Sequence, residues 1–288
     1  MNVIDIEGLG KVYRGKKGMR VEALSDLTLS VPEGEVFGFL GPNGAGKSTT
    51  LKILTGLIRP TSGRARICGQ DVSSASSRRG VGFLPENPAF YDSLTAEEYL
   101  RFVGNAFAMS SSEISSKSVE VLELLGLTDA GRRQIRSYSK GMVQRLGIAQ
   151  TLLHDPDLYI LDEPMSGLDP IGRALIKEII VSLKQRGRTV FFSTHITSDV
   201  EAVCDRVGVI NKGVLLAVES VQTVLERGIT GYDVTFVRTG GVTEELVIEK
   251  GELQQFLERA VTSGLAIQRI EPRRKDMEAF FLETVAQR

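Results

Sequence analysis

A glycine-rich loop between an apolar run and a helical pattern limits the fold of this chain more than any other feature. Residues 36–40 (VFGFL) are apolar throughout and follow a turn-like stretch at 32–34, so they predict a buried strand. The loop GPNGAGKS fills residues 41–48, and residues 48–56 predict a helix that Arg59 and Pro60 stop. A strand, such a loop and a helix in this order predict an α/β fold with a parallel sheet.

The loop has the chemistry of a phosphate cradle. Gly41, Gly44 and Gly46 permit backbone geometry that a Cβ would hinder, so successive N–H groups can turn towards phosphate oxygens. Lys47 places a cation against the β- and γ-phosphates, and the hydroxyl of Ser48 suits Mg²⁺. The following helix directs its positive end at the same place. A glycine-rich turn without a ligand is the plain alternative, but strand, loop and helix all agree with the phosphate site.

Two further apolar runs end in residues suited to phosphate chemistry. Residues 158–161 lead into Asp162 and Glu163, and residues 189–192 lead towards His195. The carboxyl ends of strands in a parallel sheet are where ligand chemistry gathers. Asp162 is the better Mg²⁺ ligand, through water, and Glu163 is placed to act as general base on the attacking water. His195 is expected beside the γ-phosphate, where it can hydrogen-bond that group and orient the water.

Residues 138–142 (YSKGM) begin another helix, whose apolar positions 142, 146, 149 and 153 form one stripe. Ser139 and the backbone amides after it would face an anion at the helix N-terminus. Taken alone, this segment is an ordinary capped helix.

Taken together, the motifs at 41–48, 138–142, 158–164 and 193–195 make the chain resemble the nucleotide-binding subunits of ATP-binding cassette (ABC) transporters. The resemblance runs from about residue 3 to residue 213, and it is nearest to single-cassette subunits of the ABC-2 exporter-like group. It implies that Tyr13 stacks on adenine, and that Ser139 and Gly141 contact the γ-phosphate of an ATP held by the opposite subunit. It also implies that residues 166–169 form the D-loop, which communicates across the dimer, and that the segment around Glu86 is the Q-loop.

Loop chemistry and resemblance together give the expected site. The expected cofactors are ATP and Mg²⁺, and the catalytic residues are Glu163, His195 and Lys47. The expected ATP ligands are Tyr13, Gly41, Pro42, Asn43, Gly44, Ala45, Gly46, Lys47, Ser48, Thr49, Ser139, Gly141 and Asp169. The expected metal ligands are Ser48, Asp162 and Glu86.

Two positions depart from the family pattern. The signature usually carries two glycines after its serine, and the first of them is Lys140 here. This cation would either help to bind phosphate or point to solvent. The Q-loop position is Glu86 instead of glutamine; its oxygen can still ligate Mg²⁺, but it adds negative charge near a polyanion.

Composition excludes several classes of protein. A formal net charge of −1 argues against a nucleic-acid surface, and two cysteines without CxxC spacing argue against a zinc site. No signal peptide is expected, and no run approaches the about 20 apolar residues that span a bilayer. If the chain serves transport, another chain must supply the membrane path.

The predicted organisation is a P-loop NTPase core with a parallel sheet, an antiparallel β subdomain over residues 1–30, and a helical insert. The cassette covers residues 1–213 with its helical subdomain at about 92–150, and a small α+β extension covers 214–288. Thr95 and Glu98 form a capping box, residues 119–125 predict a helix, and the serines at 110–116 predict a polar connector. In the extension, strands are predicted at 232–238, 242–249 and 265–270, and helices at 253–261 and 275–286.

The expected function is ATP binding and hydrolysis that powers transport by a separate membrane permease through dimer closure, with export favoured by resemblance. The expected partners are that permease and a second cassette, of which a second copy is favoured, with no nucleic acid; the expected location is the cytoplasmic face of the membrane, peripherally bound. One alternative is a soluble ABC-type ATPase acting on ribosomes or DNA, whose members usually carry two linked cassettes, coiled coils or zinc cysteines. Another is a non-catalytic regulatory cassette, but Lys47, Glu163 and His195 are all present.

Overall fold

The computed structural model describes residues 1–15, 19–237 and 243–286. Its chain contacts divide it into two compact units, Met1–Val218 and Glu219–Arg288. The division falls after Val218, whereas the composition of the sequence changes after residue 213.

The first unit contains two sheets and six α-helices within the described residues. Its strands are β1 (Asn2–Arg14), β2 (Arg20–Pro32), β3 (Val36–Leu40), β4 (Ser62–Ile67), β5 (Gln70–Asp71), β6 (Val81–Leu84), β7 (Leu158–Asp162), β8 (Thr189–Thr194), β9 (Arg206–Asn211) and β10 (Val214–Ser220), the last of which crosses the boundary. Its helices are α1 (Lys47–Leu54), α2 (Ala96–Ala106), α3 (Ser111–Leu124), α4 (Lys140–Leu152), α5 (Pro170–Gln185) and α6 (Thr197–Val203).

The central sheet has six strands in the order β10-β9-β3-β8-β7-β6, and the pairs β9–β3, β3–β8, β8–β7 and β7–β6 are parallel. Strands β3, β7 and β8 are buried along their whole length, because both faces of the sheet are covered. Alternate side chains serve different cores: Phe191 packs in the cluster with β1 and β2, whereas Phe192 packs in the cluster with α4 and α5. The predicted parallel α/β core is therefore confirmed.

The second sheet is antiparallel and has the order β2-β1-β4-β5, which confirms the predicted antiparallel subdomain. Its apolar residues share one cluster with Phe37, Phe39 and Phe191 of the central sheet. The rings of Phe37 and Phe191 stack with centroids 5.5 Å apart. This packing holds the phosphate loop, which follows β3, beside the antiparallel sheet.

Two predicted helix boundaries are wrong. Helix α1 ends at Leu54, before Arg59 and Pro60, because Gly56 takes a φ of +68° that breaks the helix. Helix α3 begins at Ser111, so the serines at 111, 112, 115 and 116 of the predicted polar connector are helical, and Ser110 is the N-cap. The cause is a second capping box: Ser110 accepts a hydrogen bond from the Glu113 amide, and the Glu113 side chain accepts one from the Ser110 amide. The predicted Thr95–Glu98 capping box at the start of α2 is confirmed.

The second unit is a three-stranded antiparallel sheet with helices. Its elements are α7 (Val221–Arg227), β11 (Ile229–Val237), β12 (Thr243–Glu249), α8 (Leu253–Thr262), β13 (Ala266–Arg274) and α9 (Met277–Ala286), with sheet order β12-β11-β13. Val234, Phe236 and Ile248 form its buried centre, and Phe256 of α8 packs on Phe236. The predicted strands and helices of the extension are present, with β13 extending past residue 270; residues 238 and 242 lie outside the described part of the chain.

Candidate ATP-binding and hydrolysis site

The phosphate loop joins β3 to α1 and leaves the start of that helix uncapped by any side chain. Gly46 stands at the N-cap with a φ of +110°, and a Cβ there would meet the carbonyl oxygen of Ala23 at 2.6 Å. Gly44 also has a positive φ, but a Cβ at Gly44 would have no neighbouring atom within 4 Å. The first amides of α1 therefore remain available to an anion, as the glycine pattern predicts.

A cavity of about 370 Å³ lies over this loop. Its lining brings together the loop, the Q-loop position Glu86 and the general-base candidate Glu163. The lining residues are Ala23, Pro42, Asn43, Gly44, Ala45, Gly46, Lys47, Ser48, Thr49, Glu86 and Glu163. Most of the expected ATP ligands of the loop thus share one cavity with two acidic residues that are far away in sequence.

The ammonium group of Lys47 is buried at the base of the site. Its Nζ donates to the carbonyl oxygens of Gly41 at 2.6 Å and Pro42 at 3.3 Å, and it lies 3.4 Å from Oε1 of Glu163. A phosphate oxygen would compete for the same protons. The contact also places the cation and the acidic candidate base against each other.

Ser193 connects the two acidic residues at the end of β7. Its Oγ donates to Oδ1 of Asp162 at 2.5 Å and accepts from the amide of Glu163 at 3.0 Å. Asp162 is 2% exposed, so this hydroxyl fixes the carboxylate in one orientation. No sequence pattern gave Ser193 a role of its own, although its place two residues before His195 was the available signal.

Glu163 and His195 form a direct pair. Nδ1 of His195 lies 3.0 Å from both carboxylate oxygens of Glu163, whose own backbone has a φ of +49°. A left-handed backbone at a residue other than glycine is strained and needs anchoring by its surroundings. The structure thus joins Lys47, Glu163 and His195, the three residues predicted to be catalytic.

Gln144 is a further anchor that sequence reasoning missed. It is 4% exposed on α4, and its Nε2 donates to the carbonyl oxygens of Glu163 at 3.3 Å and Pro164 at 3.1 Å. Two side chains therefore hold the strained backbone of Glu163, Ser193 at its amide and Gln144 at its carbonyl. No local pattern distinguishes Gln144 from any other polar residue of a helix.

Tyr13 lies beside the loop on β1. Its hydroxyl is 3.5 Å from Oγ1 of Thr49, its side chain is 39% exposed, and Nζ of Lys11 lies 5.1 Å from the ring centroid. The ring is therefore close to the phosphate loop and open to solvent. Stacking on adenine remains a prediction.

Several expected site residues, among them those of the signature segment and the D-loop, lie outside the lining of this cavity. Among the described residues, the cavity lining includes none of Ser139, Gly141, Asp169, Asp162 and His195. Ser139 caps α4 by accepting from the Met142 amide at 3.3 Å, and Asp169 caps α5 by accepting from the Gly172 amide at 2.8 Å. Both side chains thus have a capping role within their own chain.

Lys140 is exposed to solvent, which is one of the two outcomes considered from the sequence. Its aliphatic stem covers Gly167 of the D-loop, where a Cβ would come within 2.7 Å of Cε of Lys140. Gly167 has a φ of +71°. The unusual lysine of the signature segment is therefore packed against the D-loop of the same chain.

The oxygen donors around the loop fit Mg²⁺ only together with a phosphate. Across residues 1–15, 19–237 and 243–286, no group of three or more His, Cys, Asp or Glu side chains could hold a metal ion. Ser48 and the oriented carboxylate of Asp162 offer hard oxygen ligands, and Mg²⁺ completes its shell with water and substrate phosphates in such sites.

Of the described helices, none is long and apolar enough to cross a membrane.

Comparison with known proteins identifies the family of this chain. The family model described as "ABC transporter" matches residues 24–166. An ABC transporter ATP-binding protein of Synechocystis is 46% identical over 249 residues, which cover 85% of this chain and 70% of that protein. The bacitracin transport ATP-binding protein of Bacillus licheniformis is 42% identical over 217 residues, covering 74% of this chain and 68% of that protein.

A solved structure shows the same fold. It is a dimeric ATP-binding cassette in a post-hydrolysis state with ADP and phosphate, 26% identical, with a TM-score of 0.71 over 76% of this chain and 98% of the other. The resemblance seen in the motifs is thereby confirmed. The chain belongs to the ABC transporter family, as an ATP-binding subunit that hydrolyses ATP.

Proposed function

We propose that this chain drives export through a separate membrane permease by closing onto a second cassette around two ATP molecules. The observation that carries the proposal is the one-sided site: the cavity holds the loop, Glu86 and Glu163, while Ser139 and Gly141 lie outside its lining. A second chain would supply the helix N-terminus at Ser139 to the exposed side of the γ-phosphate. The solved relative is itself dimeric, which supports this arrangement.

In this proposal each residue of the site has its own role in ATP binding or hydrolysis. The loop amides and Lys47 bind the phosphates, Tyr13 stacks on the base, and Ser48, Asp162 and Glu86 would hold Mg²⁺. The ion would neutralise charge on the β- and γ-phosphates. Glu163 takes the proton of the attacking water, and His195, 3.0 Å from that carboxylate, orients the water beside the γ-phosphate. Hydrolysis then removes the phosphates that join the two chains, and the dimer opens.

The permease would dock in an apolar groove next to the Q-loop. The groove has a volume of about 370 Å³, and its lining includes the exposed side chains of Leu57, Phe102 and Phe107. It also includes Val81 and Phe83 of β6, the strand that leads to Glu86. A helix seated in the groove would therefore touch the element that positions a residue of the ATP cavity.

His154 adds no charge to this groove, whose lining includes one charged side chain, Arg78. Its ring stacks on Phe107 with centroids 3.7 Å apart, and burial lowers the pKa of His154 below its ordinary value. The imidazole is therefore neutral at neutral pH. An apolar, aromatic groove of this kind fits an amphipathic helix that presents apolar side chains.

Export is favoured by the relatives, and the membrane location follows from the permease. The similar protein of Bacillus licheniformis is named for bacitracin transport, and one of Bacillus subtilis is named for linearmycin resistance. The chain would lie at the cytoplasmic face of the membrane, held there by its partner. None of the relatives described above is named for action on ribosomes or DNA. We also propose that the chain divides into a cassette at 1–213 and an extension at 214–288.

Co-purification tests the docking groove. The chain is expressed with a multi-span membrane protein encoded beside it, and complexes are isolated from detergent extract. Phe102→Asp places a charge in the groove and should abolish capture of the membrane protein. Val119→Asp is the matched control, because Val119 is an exposed apolar residue on α3 outside the groove, and it should retain capture. Equal capture by both folded variants would refute docking at this site.

A further inference from the structure

A buried carboxylate joins the helix after the D-loop to the helix after His195. Asp199, in the first turn of α6, is 2% exposed. Nη2 of Arg173 lies 2.8 Å from its Oδ1 and 2.9 Å from its Oδ2, and Nζ of Lys177 lies 3.0 Å from Oδ1. Both cations belong to α5, one helical turn apart, and each side chain is 28% exposed.

Stability alone does not account for such a cluster. Removing a charge from water is costly, and a well-packed apolar residue often serves the fold as well as a buried ion pair does. What the cluster provides is geometry, because a carboxylate held by three short contacts from one helix has little freedom to move.

The cluster lies about one helical turn after each of two loops, the D-loop and the loop that contains His195. Helix α5 follows the D-loop directly: Asp169 is its N-cap, and the Arg173 amide donates to the Asp169 carbonyl at 2.9 Å. Helix α6 follows His195: Ile196 is its N-cap, and the Asp199 amide donates to the Ile196 carbonyl at 3.2 Å. The ion cluster therefore links the first turns of both helices, and through them it links the D-loop to the loop that contains His195.

We propose that Asp199 is a positioning residue, which holds His195 against Glu163 and makes this geometry depend on the position of the D-loop helix. His195 is half-exposed, and its contacts with Glu163 at 3.0 Å are the ones that a shift of α6 would lengthen. Transmission of a D-loop movement from a second cassette rests on the proposed dimer. The positioning of His195 within one chain does not.

The same helix provides a matched control. Lys184, near the other end of α5, pairs with Asp205 at 2.5 Å, just before β9. This contact also links α5 to the chain beyond α6, but it lies away from both loops. If Asp199 had only a structural role, loss of either pair would have the same kind of effect.

The experiment combines kinetics with histidine NMR on the full chain. The chain has only two histidines, so the ring signals of His195 and His154 can be assigned by substitution, and His154 serves as internal reference. In Asp199→Asn, the His195 signal should shift while the His154 signal stays in place. The kcat for ATP should fall at least about tenfold, since small misplacements of catalytic groups have effects of this size, with the KM for ATP little changed.

Further variants keep the proposal open to refutation. Lys184→Met should leave both ring signals and kcat close to wild type. Arg173→Lys keeps the charge but loses the bidentate geometry, so it should give an intermediate loss of kcat. If Asp199→Asn does not fold, Lys177→Met and Arg173→Lys carry the test.

Two results would overturn the proposal. One is a folded Asp199→Asn chain with unchanged His195 signal and kcat; the other is a loss of activity in which the melting temperature falls but the His195 signal does not move. The NMR arm needs neither nucleotide nor partner. Failure of the dimer or of the permease proposal would therefore leave its outcome unaffected.

Discussion

At the scale of single residues, the site depends on how Glu163 is held. Its backbone lies in a strained left-handed conformation, anchored by Ser193 at the amide and by Gln144 at the carbonyl. Its carboxylate contacts both His195 and Lys47. A carboxylate fixed in this way can only be tested by a substitution that preserves its shape.

Glu163→Gln should preserve ATP binding and lower kcat by about 10²-fold or more, the usual contribution of a general base. The amide fills the same space but cannot accept the proton of the attacking water. Phosphate release gives kcat, and a fluorescent nucleotide gives affinity. Glu120→Gln, an exposed carboxylate on α3, is the control and should match wild type. Undiminished hydrolysis in Glu163→Gln would rule out this residue as the base.

The acidic Q-loop position gives a second prediction. Glu86 lines the ATP cavity together with Glu163, so its oxygen is within reach of a bound nucleotide and its metal. Glu86→Gln should keep hydrolysis within about tenfold of wild type, because ligation through an oxygen survives. Glu86→Ala removes that oxygen and should reduce kcat further at limiting Mg²⁺. A complete loss of turnover in Glu86→Gln would contradict this role of the side-chain oxygen.

At the scale of elements, Lys140 links the start of α4 to the D-loop. Gly167 and Gly187 have nearly the same positive φ, +71° and +74°. A Cβ at Gly167 would meet the stem of Lys140 at 2.7 Å, whereas a Cβ at Gly187 would have no atom within 4 Å. The two glycines separate backbone strain from contact with Lys140.

Gly187→Ala should lower the free energy of unfolding by about 1–2 kcal/mol, the cost expected for a residue other than glycine in this conformation. The kcat should be retained. Gly167→Ala should cost more, because the stem of Lys140 must shift away from the new methyl group, and this change beside the D-loop should also lower kcat. Adding Lys140→Ala to Gly167→Ala should recover part of both losses. Thermal melting and phosphate release measure the effects, and equal behaviour of the two alanine variants would show that the contact is unimportant.

At the scale of the whole molecule, the proposed site belongs to two chains. Lys47 lies in the cavity, whereas Ser139 lies outside its lining. If two chains share each site, Lys47→Ala and Ser139→Ala should complement each other. A mixed dimer would contain one site with both native residues.

Each variant alone should hydrolyse ATP at least about tenfold more slowly than wild type, given the usual cost of losing a group that stabilises the transition state. An equimolar mixture should recover part of the wild-type rate. Each single variant, measured at the total protein concentration of the mixture, is the control. A rate for the mixture equal to the mean of the two variants would argue for sites within one chain.

The sequence by itself determined the elements around the site. The buried strands, the phosphate loop and the capping box at Thr95 are encoded by patterns a few residues long, because local backbone preference and periodic apolar burial act over that range. Long apolar runs predicted buried strands, and the strand ends placed Asp162, Glu163 and His195. The wrong ends of α1 and α3 arose where a glycine or a second capping box competed with a pattern considered alone.

Only the tertiary structure decided which side chains meet. Ser193 reaches Asp162 across 31 residues of chain, Arg173 reaches Asp199 across 26, and Gln144 reaches Glu163 across 19. A hydrogen bond between distant residues depends on how helices and strands pack, and a polar residue facing the core has the same local pattern as one facing solvent. The local sequence therefore specified the parts of the site, and packing of α4, α5 and α6 on the central sheet set their orientation.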